Sequence, residues 1–178
     1  MAAAGASCSK SSAPACMSPD ETFIVSLLRA LKSIGLEAIF VGNAAAALQG
    51  APVTTQDVDL LVRDTELNRE KLRRLADELG AARPVAISEL TSSLRIIGAA
   101  WPIDILFDSM IGGLQFASVR SRSKAIQIAD VAATVASLED IIRSKEVAGR
   151  PKDLAVLPIL RDALRVTKAL EESEKPPT

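Results

Sequence analysis

The chain has 178 residues, 48% of them hydrophobic, and a formal net charge of −1. That is enough apolar material for one substantial core, so one domain is expected and a globally basic nucleic-acid binder is excluded. Histidine and tyrosine are absent, which removes Ser-His-Asp and Cys-His nucleophile systems, His-ligated zinc and His general bases together.

Residues 1–17 are Ala/Ser-rich and lack the charged start and long apolar centre of a secretory signal. They are expected to form a disordered extension ahead of a domain over residues 18–170. Both cysteines, Cys8 and Cys16, fall in this extension, so no disulfide framework or Cys-rich zinc site is expected. Deleting residues 1–16 should leave the melting temperature within about one to two degrees, because a segment with few large apolar groups adds little folding free energy.

The first helix is signalled by Ser18 as cap, Pro19 at its first position and Glu21 in the capping box. Phe23, Leu27, Leu28, Leu31 and Ile34 follow at helical spacing, with Gly35 as the stop. A buried strand is expected over Glu37–Val41, then a short Ala-rich helix from Asn43 to Gln49, a loop over 51–56 and a strand over Val58–Val62. Thr65 caps a helix from Glu66 to Leu79, with Leu67, Leu72, Leu75 and Leu79 inward. Pro84–Ile87 is a weak strand, Ser93–Ile97 and Pro102–Phe107 make a hairpin around Gly98-Ala99-Ala100, and Ala125–Ile128 is a further strand. Ser137 caps a helix ending at Ala148, and Lys152 to about Leu170 forms the last helical segment, with Pro158 expected to kink or break it. Residues 171–178 read as a flexible, charged tail. The order indicates an α/β (α+β) domain, a mixed sheet flanked by helices and closed by C-terminal helices.

The most informative stretch is Val41-Gly42-Asn43, followed by Asp57-Val58-Asp59, with Asp104 inside the apolar run Trp101–Phe107. Apolar strands rarely hold ionised side chains, because an unpaired buried carboxylate costs several kcal/mol. The spacing of Asp57 and Asp59 sends both carboxylates to one face of a strand. Three aspartates on two such strands point to a shared cation, and an oxygen-only donor set suits Mg²⁺ or Mn²⁺. The competing reading is that strand-end aspartates are simply solvated.

Gly42-Asn43, Gly50, Thr55, Asp57-x-Asp59, Asp104 and Lys145…Arg150-x-Lys152-Asp153 resemble the polymerase-beta-type nucleotidyltransferases. Within them the pattern looks like the minimal AbiEii toxin type and related bacterial proteins, over roughly residues 20–165. The resemblance implies the nucleotidyltransferase fold and transfer of NMP from an NTP to a hydroxyl of RNA (tRNA included) or protein. It assigns Asp57, Asp59 and Asp104 as metal-holding, catalytic residues, with Asp104 also helping to activate the acceptor hydroxyl. Gly42, Asn43, Lys145 and Lys152 would bind the nucleotide, and Asp153 would orient Lys152 or cap the final helix. It further implies a toxin–antitoxin or phage-defence setting with an antitoxin partner, while the lack of a secretory signal and of any apolar run of bilayer length leads to the expectation of a cytoplasmic protein with no membrane association.

Two positions depart from that pattern. Asn43 stands where Gly or Ser is usual, and Val53 stands four residues before Asp57 where Arg is frequent. They leave open an alternative, a catalytically weakened nucleotide-binding or antitoxin-like module acting through a partner protein. A small-molecule modifier of the aminoglycoside type shares the same core. The basic run Arg120-Ser121-Arg122-Ser123-Lys124 reads as a loop that either steers RNA or is an ordinary soluble surface.

Overall fold

The computed structural model describes residues 19–82, 84–88 and 91–173, so the expected extension, the Ser18 cap and residues 174–178 lie outside the described residues. Helix α1 (Pro19–Ser33) starts at the expected proline. It buries Phe23, Leu27, Leu28 and Leu31, and Gly35 follows its end with φ +63°. The first strand, β1 (Ile39–Val41), is buried throughout and shorter than its apolar run. It passes directly into α2 (Gly42–Leu48), one residue earlier than expected.

Beside β1, antiparallel, lies β2 (Val58–Val62), with Val41 opposite Asp59. Thr65 caps α3 (Glu66–Glu78), its Oγ1 accepting from the Asn68 N–H at 3.1 Å. Leu72 and Leu75 are fully buried as expected, but Leu67 is 66% exposed. The reason is angular: Leu67 sits roughly 120° round the helix from the stripe that Leu72, Leu75 and Leu79 define.

The strands β3 (Val85–Ser88), β4 (Thr91–Ile96) and β5 (Ile103–Phe107) run antiparallel in turn, and β4–β5 is the expected hairpin. β5 then pairs in parallel with β2. Next come a short ladder of β6 (Ser109–Met110) with β7 (Leu114–Gln115) and the helix α4 (Phe116–Arg122), which the hydrophobic pattern did not announce. β8 (Lys124–Ile128) is the expected strand, and it hairpins with β9 (Val131–Val135). Two alanines at its centre give β9 a weak strand signal, and its conformation is set by neighbours on both sides, β8 and, in parallel, β1.

Ser137 caps α5 (Leu138–Ala148), accepting from the Asp140 N–H at 3.2 Å, and Gly149 ends it in the left-handed region. The last helix, α6 (Pro151–Ser173), runs unbroken through Pro158 and takes up the first residues of the expected tail. Pro158 is exposed and Leu154, whose carbonyl loses its N–H partner, is 50% exposed, so water can serve that carbonyl.

Among the described residues the main sheet has seven strands in the order β3-β4-β5-β2-β1-β9-β8. Its centre is dry: Ile39, Phe40, Val58, Leu60, Ile103 and Ile105 have no exposed surface. This is the expected mixed sheet flanked by helices. No described helix is long and apolar enough to cross a membrane.

Candidate active site

The parallel pairing of β2 with β5 sets Asp59 and Asp104 opposite one another. Side chains opposed in a ladder share a face, and Asp57, two residues earlier, is directed to the same side. On the other face of β5, Ile103, Ile105 and Phe107 are buried in the core. The alternation that fills the core therefore delivers the carboxylates to the opposite side. All three line one cleft of about 370 Å³, together with Asn43, Lys145 and Lys152. A smaller adjoining cavity of about 110 Å³ shares Asp59 and Lys145 with it and has Gly42 in its wall.

Each carboxylate is held differently. The Thr55 hydroxyl lies 2.8 Å from the Asp57 carbonyl oxygen and 3.2 Å from its Oδ1, which fixes Asp57 at the mouth of β2. Asp59 lies against the backbone of Gly42, whose φ is +66°. A Cβ placed on Gly42 would stand 2.1 Å from Asp59 Oδ2, so only glycine leaves room for that carboxylate. Asp104 is taken by Arg95: Nε donates to Oδ1 and Nη2 to Oδ2, each at 2.6 Å. Arg95 is opposite Asp104 across the β4–β5 hairpin. Among the described residues no three acidic side chains stand close enough to hold a metal ion as they are. The three aspartates thus share a face and a cleft, with the third committed to a guanidinium.

Asn43 ties the start of α2 to the loop before β2, its Nδ2 donating to the Thr54 carbonyl at 3.2 Å. Its Oδ1 is buried and has no partner among the described residues. Val53, the second departure, packs against the core. Lys145 and Lys152 both border the cleft. Asp153, only 2% exposed, orients Lys145 rather than Lys152, accepting from Lys145 Nζ at 3.2 Å and from Arg150 Nε. Burial pushes the Asp153 carboxyl up, but the hydrogen bonds from Arg150 and Lys145 outweigh it and hold the group below its ordinary range.

Asp59 is shifted the other way, up to about 7. Burial is the largest cause, and the charges of Asp57 and Asp104 add to it against Lys145 and Lys152. A carboxyl that keeps its proton to a higher pH when folded stabilises the fold fully below its ordinary 3.8, and loses that contribution as pH rises through about 7. In metal-free buffer, urea unfolding should therefore show Asp59→Asn gaining on the parent between about pH 4 and pH 7. The gain should be about 1–2 kcal/mol, allowing for the open side of the cleft. A pH-independent difference would mean that Asp59 titrates normally.

Sequence reasoning missed Arg95, although a hairpin centred on Ala99-Ala100 already puts residue 95 across from residue 104. The basic run is resolved otherwise than as an open loop. Arg120 and Arg122 lie at the end of α4 and pair with Glu37 and Asp140, Lys124 pairs with Glu171, and none of the three lines the cleft.

No protein-family profile and no curated protein sequence matches the chain. Its fold is similar to that of the antibiotic-resistance factor ANT(2″)-Ia, with a TM-score of 0.60 at 16% identity over 86% of this chain and 91% of that one. The same factor in complex with adenylyl-2″-tobramycin gives 0.59 at 18% identity, over 85% and 92%. A candidate nucleotidyltransferase from Thermotoga maritima gives 0.56 at 18% identity, over 88% and 96%. At these identities the likeness is one of fold.

Proposed function

We propose that this protein is a metal-dependent nucleotidyltransferase that moves NMP from an NTP to an acceptor hydroxyl. The observation that carries the reading is the in-register pair Asp59 and Asp104 on parallel strands, with Asp57 beside them and Gly42 cradling the Asp59 carboxylate. The chemistry of the donor set suits a hard divalent cation, although the three carboxylates must draw closer to share one. The set consists of oxygens alone, and Asp59 is pushed toward neutrality by burial and by the neighbouring charges of Asp57 and Asp104, which a cation would offset. Asp57 and Asp59 would hold the cation, with Asp104 joining them or serving the acceptor. A bound Mg²⁺ or Mn²⁺ would neutralise phosphate charge and favour in-line displacement at the α-phosphorus.

The chain's own residues would do the rest. Lys145 and Lys152 would meet the outer phosphates, and Asn43 Oδ1, which has no partner among the described residues, would accept from a ligand hydroxyl or amine. The acceptor oxygen bonds to the α-phosphorus, the bond to the bridging oxygen breaks, pyrophosphate leaves, and the acceptor proton passes to Asp104 or to solvent. ANT(2″)-Ia has been seen with an adenylylated small molecule, so a small-molecule hydroxyl joins RNA and protein as an acceptor to be tried. We place the reaction in the cytoplasm, where NTP and Mg²⁺ are supplied.

The test is incubation of the protein with each α-labelled NTP, Mg²⁺ or Mn²⁺, and in turn bulk RNA, cell protein and hydroxyl-rich small molecules. Label transfer with pyrophosphate release supports the reading. Stoichiometric nucleotide binding without transfer to any acceptor would replace it with the weakened binding module.

A further inference from the structure

Arg95 spends its whole guanidinium edge on the one carboxylate that the sheet register places next to Asp59. Two contacts of 2.6 Å engage both oxygens of Asp104, so a divalent cation reaching that carboxylate would meet an arginine already in place. The neighbours are unlike it. Asp57 is touched by a neutral hydroxyl and Asp59 by glycine backbone, so both remain available to a cation. The Asp104 side chain is 14% exposed while that of Arg95 is 39% exposed, so the arginine is the partner able to swing away. Its fork also fits a phosphate as well as it fits a carboxylate.

We infer that Arg95 is a positioning residue that withholds Asp104 from the cation site until an anionic ligand takes the guanidinium. The inference rests on the proposed nucleotidyl-transfer site and deepens it. In the nucleotide-free chain a cation meets two carboxylates. When a polyphosphate chain arrives, Arg95 exchanges carboxylate oxygens for phosphate oxygens and Asp104 is released beside Asp59. The site would then be completed only with the substrate in it, which guards against idle tight binding of metal.

The alternative is a plain cross-strand ion pair, contributing little to stability and without influence on metal uptake. Mn²⁺ binding to the full chain, followed by water-proton relaxation, separates the two and needs no turnover. Without nucleotide, Arg95→Met should bind Mn²⁺ about tenfold or more tightly than the parent, since an added carboxylate ligand shifts such affinities by decades. Asp104→Asn should change parental affinity by less than about threefold. The Arg95→Met, Asp104→Asn double variant should lose the gain, which distinguishes a freed ligand from the mere loss of a nearby positive charge. With inorganic tripolyphosphate present, Asp104→Asn should weaken Mn²⁺ uptake by about tenfold, because the parent now uses Asp104.

A gain that persists in the double variant overturns the inference, as does an Asp104→Asn loss equal to that of Asp57→Asn without polyphosphate. If Arg95→Met does not fold, the second of these criteria decides alone. The Mn²⁺ pattern holding while no NTP is turned over would sink the transferase reading and leave the Arg95 exchange standing. No Mn²⁺ uptake in any variant overturns both.

Discussion

Asn in place of Asp57 or Asp59 should leave a folded protein that transfers nucleotide at least ~10²-fold more slowly. That loss corresponds to about 2.7 kcal/mol of transition-state stabilisation. The substitution keeps the shape of the side chain and removes one negative charge from the cleft floor, so the expected loss is electrostatic. Mg²⁺ or Mn²⁺ affinity should fall in parallel, because these two carboxylates are the ones not occupied by a cationic side chain. Folding should survive and, for Asp59, improve at neutral pH, since its carboxyl is held near 7 by burial and by the charges of Asp57 and Asp104. That combination separates a site from a scaffold: a structural aspartate lost from the sheet would cost stability along with activity. Turnover at the parental rate in the Asp57→Asn, Asp59→Asn double variant would refute the catalytic assignment. A binding module would instead show no turnover in the parent.

The cluster of aspartates was legible because two independent periodicities agree. The spacing of two puts Asp57 and Asp59 on one face, and β5 alternates buried and less buried residues so that Asp104 leaves the core side. What sequence spacing does not carry is the pairing of β2 with β5, which are about forty residues apart and joined through α3, β3 and β4. Sheet register decides whether Asp104 meets Asp59 or slips past it, and it is set by packing across the whole sheet.

The same limit explains β9. Its two alanines carry little strand preference, and its place between β1 and β8 depends on partners distant in sequence. By contrast Thr65 and Ser137 cap their helices where expected, and Gly35 and Gly149 follow helix ends in the left-handed region, because caps and stops act within a single turn. Arg95 lay between these extremes. Its position opposite Asp104 follows from the hairpin, but an arginine on an outward face has an ordinary solvated reading that only the contact itself displaces.

Gly42→Ala is expected to act on the same carboxylate from the backbone side. Two costs coincide there. The residue has φ +66°, a conformation that costs an L-residue with a side chain ~1–2 kcal/mol. The new methyl would also stand 2.1 Å from Asp59 Oδ2 and 3.3 Å from Asp59 Cβ, so the aspartate must rotate out of the cleft or β1 must draw back from β2. Together these should remove about 2–3 kcal/mol and lower the melting temperature by roughly 4–12 °C for a chain of this size. Mn²⁺ affinity should fall at least as far as in Asp59→Asn, because the carboxylate is displaced rather than merely neutralised. Gly50→Ala is the control. Gly50 also has positive φ, at +85°, but no atom of the described residues lies within 4 Å of its Cβ position, so it carries the conformational cost without the clash. If Gly42→Ala matched Gly50→Ala in both stability and Mn²⁺ affinity, Asp59 would have room to move freely. The tight turn from β1 into α2 would then be a chain reversal and not the cradle of a metal ligand. The expected result is a stability gap between the two variants and a loss of cation binding confined to Gly42→Ala, which ties the glycine to the aspartate it faces.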